Sequence, residues 1–152
     1  MKRRVAVRGI ALHEGKLLCT KLRPYDDAMV KPDVNWWCLP GGTVDEGEVI
    51  HKALAREFEE ETGVLPDIGK LLYIHQLKTE KKEHLEFFFE IRNPTDYLSV
   101  DLSKTTHGVE EVEAIEFVDI ESTIILPDFL KHEPLEEHVR NENHVKFISS
   151  TD

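Results

Sequence analysis

Residues 41–64, GGTVDEGEVIHKALAREFEEETGV, constrain this chain more than any other stretch. Two glycines after Pro40 mark a sharp turn at the end of an apolar run. Asp45 then reads as a helix N-cap, with Glu48 three residues on in capping-box spacing. Ile50, Leu54 and Phe58, spaced by four, form an apolar seam. Gly63 stands where a C′ glycine ends a helix, and Val64 follows as the hydrophobic residue after it. Signals at both ends agree on one helix of about four turns.

Glu57, Glu60 and Glu61 are related by i, i+3 and i+4, so their carboxylates converge on one patch beside Phe58, while Glu59 points elsewhere. Like charges at this spacing repel, and no lysine or arginine lies one turn beyond, because the helix ends at Gly63. A divalent cation resolves the repulsion, and an all-oxygen donor set suits Mg²⁺ or Mn²⁺ better than zinc. A solvated acidic face with no ligand is the competing reading.

Composition sets the outer bounds. The 152 residues suffice for one domain with a real core, and 40% apolar with 32% charged residues describes a soluble globular protein. No apolar run approaches a membrane span, and Arg8 interrupts the apolar segment after the basic start, so neither a membrane partner nor a secretory leader is expected. Cys19 and Cys38 lie in strand-like apolar runs without CxxC spacing and read as buried thiols in a reducing compartment, the cytoplasm. The eight histidines show no zinc spacing. A net charge of −11 argues against nucleic acid as a partner, whereas a cation at the glutamates reverses the local field and admits a phosphorylated small molecule.

Along the chain, residues 3–12 read as a strand with Val5 and Val7 on one face, 13–16 as a turn, and 16–23 as a second strand. Arg8, Lys21 and Arg23 read singly as exposed strand cations, with Arg8 and Arg23 kept as candidate phosphate contacts. Residues 24–35 form an irregular stretch longer than an ordinary connection. Pleating sets Trp36 and Cys38 on one face and Trp37 and Leu39 on the other, one indole for the core and one free to line a pocket. Residues 71–80 and 83–92 read as a hairpin around Lys81-Lys82, with Leu85, Phe87 and Phe89 on one face. Glu86 and Glu90 share the other face with Phe88 and are expected in solvent, with a place facing the cleft as the alternative. A loop over 93–109, a strand over 114–120, a helix over 126–141 kinked at Pro134 and a last strand over 144–149 complete the chain. Irregular alternation of strands and helices implies a mixed sheet covered by helices.

Gly42, five residues, Glu48, seven residues, then Arg56-Glu57-Phe58-Glu59-Glu60-Glu61-Thr62-Gly63-Val64 resembles the complete Nudix box. Only Phe58 departs, standing where the family usually has an aliphatic packing residue. The resemblance implies an α/β fold, the Nudix α/β/α sandwich with a mixed β-sheet, as a single domain over 1–152. It implies Mg²⁺- or Mn²⁺-dependent cleavage of a nucleoside diphosphate linked to another moiety: a nucleotide sugar, ADP-ribose, a dinucleoside polyphosphate or a modified nucleoside triphosphate. In that picture Glu57, Glu60 and Glu61 hold metal with Gly41. Arg56 orients the carboxylates, and Gly42 lets the backbone approach phosphate. Glu60 and Glu111 compete as general base, with Glu110 behind Glu111. Tyr25 lies in a stretch that is near the substrate in small relatives, and Trp37, at a position where a tryptophan is usual, joins it as a candidate substrate contact. Homodimers are common among relatives. A Nudix-fold sensor that binds a nucleotide without hydrolysis is the alternative, although such modules usually lack box glutamates that are all present here.

Overall fold

The computed structural model describes residues 1–22, 35–105, 112–141 and 144–151. Its strands form two sheets. In the first, β10 (Lys146–Thr151), β6 (Ile68–Lys78), β7 (Lys82–Ile91), β1 (Lys2–Ile10) and β5 (Gly41–Thr43) lie side by side in that order. The second runs β2 (Leu12–His13), β3 (Lys16–Leu22), β4 (Trp37–Cys38) and β9 (Ile125–Leu126), with β8 (Val112–Val118) also on β3. The first sheet is mixed: β1 pairs parallel with β7, placing Arg8 opposite Phe88, and antiparallel with β5, placing Arg8 opposite Gly41.

Helix α1 (Ile50–Thr62) packs on one face of the first sheet through Ala53, Leu54 and Phe58, which share a core with Val7, Leu18, Phe89, Ile91 and Tyr97. Strand alternation explains the selection, since Val7, Phe89 and Ile91 point to that face. Gly9 is required beneath the helix, because a Cβ there would lie 2.6 Å from the Phe58 ring. The second core gathers Ile10, Leu17, Trp37, Leu39, Tyr73 and Phe88 with Leu130 and with Leu135 of the second described helix, α2 (Leu135–Asn141). Helix, sheet and helix therefore stack as an α/β/α arrangement.

The hairpin turn at Glu14-Gly15, the β6–β7 hairpin and the left-handed Gly63 cap (φ 78°) agree with the sequence reading. The start of α1 does not. Its N-cap is Val49, with no side-chain cap. The Asp45 N–H donates to Glu48 Oε1 at 3.1 Å, and the Glu48 N–H donates to the Asp45 carbonyl at 2.9 Å. The capping-box residues thus close a separate turn, which Gly47 at φ 80° lets the chain leave in a direction that delays the helix. The expected helix over 126–141 is divided into β9, a 3₁₀ segment at Asp128–His132 and α2, because Pro134 ends a segment rather than kinking a helix. The expected loop over 93–109 contains 3₁₀ turns at Pro94–Tyr97 and Leu102–Lys104. No described helix is long and apolar enough to cross a membrane.

Candidate active site

The last turns of α1 lie against β5, and Arg56 organises what lies between them. Its Nε donates to Glu48 Oε2 at 2.8 Å and its Nη2 to Glu48 Oε1 at 3.0 Å, a two-pronged contact matched to the guanidinium fork. Nη1 donates to Glu57 Oε1 at 3.1 Å and to Glu60 Oε2 at 3.3 Å. Nη2 also reaches the Thr43 carbonyl at 3.1 Å, tying helix to strand. The carboxylate repulsion is therefore offset from within: the compensating cation lies one turn before Glu60, on the side opposite to the one considered from sequence.

Each glutamate occupies a different electrostatic setting. Hydrogen bonds from Arg56 and the Asp45 N–H hold the Glu48 carboxyl at about 2. Burial pushes Glu57 above the usual carboxylate range, although Arg56 opposes that shift. Glu61 is only 6% exposed and accepts the Gly41 N–H at 3.3 Å. Glu60 is half-buried, and Glu59 is exposed. Position 42 accommodates Glu57, since a Cβ there would lie 2.6 Å from its carboxylate. Among the described residues, no three His, Cys, Asp or Glu side chains form a metal-holding group. The chemistry of the donor set nevertheless fits a hard divalent cation. Glu57, Glu60 and Glu61 offer only oxygen, and Glu57 carries a charge that burial disfavours.

Arg8 departs from the reading of an exposed strand cation. Its guanidinium is buried, bonded through Nε to Glu86 Oε2 at 3.2 Å and through Nη1 to the Leu39 carbonyl at 3.1 Å. Glu86, expected in solvent, is buried with it. Its sequence signal was the alternation that set it beside Phe88, a residue with no exposure at all. Trp37 is 9% exposed and packs with Leu39 and Ile125 in the second core, which makes it the core indole; Trp36 is half-buried. Cys19 and Cys38 are buried and free, as their apolar settings predicted. Arg23, Tyr25, Glu110 and Glu111 lie outside the described residues.

Comparison with known proteins gives the family and the fold. The NUDIX domain model matches residues 2–139. Over 71 residues the chain is 37% identical to the ADP-ribose pyrophosphatase of Methanocaldococcus jannaschii, covering 47% of this chain and 38% of that protein. Over 67 residues it is 40% identical to Nudix hydrolase 7 of Arabidopsis thaliana, covering 43% of this chain and 24% of that protein. The matches thus span well under half the length of either relative. The solution structure of the E. coli ORF135 protein superposes with a TM-score of 0.68 at 21% identity, covering 94% of this chain and 96% of that one, a likeness of fold. With a glutamate-rich helical turn braced by arginine on a glycine strand, and a family model spanning residues 2–139, this chain belongs to the Nudix hydrolase family.

Proposed function

We propose that this protein hydrolyses the diphosphate linkage of a nucleoside diphosphate joined to a second moiety, with Mg²⁺ or Mn²⁺ as cofactor. One observation carries the reading. Glu57, Glu60 and Glu61 share a single helical turn that Arg56 braces and that rests on Gly41 and Gly42. Glu57, Glu60 and Glu61 would hold the cation, with backbone at Gly41 as a further oxygen donor. When bound, such a cation neutralises phosphate oxygens and acidifies a coordinated water.

The chain's own residues supply the remainder. Arg56 fixes the rotamers of Glu57 and Glu60, so that little ordering is left to substrate binding. Gly42 leaves the room beside the strand that the Glu57 carboxylate occupies. Water attacks phosphorus, the phosphoanhydride bond to the leaving phosphate breaks, and a carboxylate takes the water proton. Glu60 is the candidate base among the described residues, and Glu111 remains its rival. ADP-ribose leads the substrates by analogy with the archaeal relative. The free, buried thiols support a cytoplasmic setting.

The test is a panel of ADP-ribose, a nucleotide sugar, a dinucleoside polyphosphate and an oxidised nucleoside triphosphate, assayed with Mg²⁺ and with chelator. At least one compound should yield two phosphorylated products only when the metal is present. Glu60→Gln and Glu61→Gln should each lower kcat by about 10²–10⁴-fold in folded protein. Undiminished turnover in both variants would reject the assignment.

A further inference from the structure

One line of polar contacts crosses four strands of the first sheet, β1, β7, β6 and β10, and starts from the residue two before β5. The Leu39 carbonyl, just before β5, accepts Arg8 Nη1 of β1, and Arg8 Nε donates to Glu86 Oε2 of β7. Glu86 Oε1 stands 3.7 Å from His75 Nδ1 of β6, too far for a hydrogen bond but within ion-pair range. His75 Nε2 meets Ser150 Oγ of β10 at 3.0 Å. Arg8 and Glu86 keep only 13% and 9% of their side-chain surface exposed. A guanidinium so far removed from water requires a carboxylate partner.

Two sets of carboxylates bear on it. Glu86 has the contact. Glu61 bonds to Gly41, the residue paired with Arg8 in the β1–β5 register, and its charge acts on Arg8 as well. Glu57 also feels the Arg8 charge. The box glutamates thus face a buried cation that is part of the protein itself.

We propose that Glu86 is a positioning residue that fixes Arg8 against the Leu39 carbonyl and so withholds its guanidinium from Glu61 and Glu57, leaving those carboxylates for a divalent cation. This rests on the reading of Glu57, Glu60 and Glu61 as the metal-holding set. Removing the Glu86 charge while keeping Arg8 frees the guanidinium to turn to Glu61. The protein then carries an internal competitor for its own cofactor. Removing both charges takes that competitor away.

Mn²⁺ titration of the nucleotide-free protein, read by electron paramagnetic resonance of the free ion, separates these cases. Wild-type protein should bind Mn²⁺, and Glu61→Gln should weaken that binding. Glu86→Gln should weaken it by about tenfold or more. The double variant Arg8→Gln/Glu86→Gln should recover most of the lost affinity, although it lacks the Leu39 contact. A purely structural role for the pair predicts weak binding in both Glu86 variants, in step with a lowered Tm. Wild-type affinity in Glu86→Gln, or a double variant as weak as the single, overturns the proposal. Should Glu86→Gln fail to fold, Glu86→Asp takes its place, with the charge drawn back by one methylene. It should show a partial loss that the double variant again exceeds in affinity, and an unchanged affinity overturns the proposal. A wild type that binds no Mn²⁺, or a Glu61→Gln indistinguishable from it, removes the metal-site reading itself. Binding by wild type with no effect at Glu86 removes only the role given to Glu86.

Discussion

Gly42 and Glu57 are fitted to each other: a single added methyl carbon on the strand would lie 2.6 Å from the carboxylate on the helix. The contact would fall on the far end of a flexible side chain, and the backbone of Gly42 does not require positive φ. Gly42→Ala should therefore cost little in folding, because Glu57 can rotate away, and much in chemistry, because it then leaves Arg56. Turnover should drop by about 10²-fold with Tm almost unchanged. Parallel losses in activity and Tm would contradict this.

Gly41 makes the opposite prediction. It lies at φ 139°, and a Cβ there would run into the Val7 carbonyl and approach Arg8 Cα, both fixed parts of β1. Neither can yield without opening the β1–β5 pairing. Gly41→Ala should lose about 2–4 kcal/mol in urea unfolding. Stability equal to wild type would mean that β5 does not sit against β1 as described.

Arg56→Lys should separate charge from shape. Lysine keeps the positive charge but cannot span Glu48, Glu57, Glu60 and the Thr43 carbonyl at once. Turnover should fall by about ten- to a hundredfold. Added Mg²⁺ should recover part of it if the loss lies in carboxylate orientation. A variant as active as wild type would assign Arg56 to surface charge alone.

The Arg8–Glu86 pair should show itself in acid. Burial pushes the Glu86 carboxyl up, but His75 and Arg8 more than offset it and hold it at about 2, against an ordinary 4.5. Because the folded value lies below the unfolded one, the stabilisation is complete above pH 4.5 and is lost as pH falls from there toward 2. The gap corresponds to at most on the order of 3 kcal/mol. Glu48 is depressed into the same window, so wild type alone does not isolate Glu86. Glu86→Gln should lose stability less steeply with falling pH than wild type does, as followed by urea unfolding. Equal slopes would remove Glu86 from the acid response.

What was legible in the sequence was local. The Gly63 cap, the apolar seam of α1, the β6–β7 hairpin and the i, i+3, i+4 glutamates each depend on residues within a few positions of one another. The start of α1 was misplaced because Asp45 and Glu48 carry capping-box chemistry, and only the left-handed Gly47 between them shows that they close their own turn. The partnership of Arg8 and Glu86 was illegible for a different reason. Their strands pair parallel across 78 positions of chain, and one sequence holds no record of which strand lies beside which. Glutamate in a strand is most often in water, and only its specific partner reverses that expectation.

The place of β1 between β7 and β5 has a consequence for synthesis. Strand β1 is made well before residues 82–91 and must wait for them before its long parallel edge is covered. Until then α1 has only part of its floor, because Phe89 and Ile91 come from that late strand. The amphipathic helix thus emerges before the surface that shelters it, and the nascent chain is exposed to misassociation during that interval.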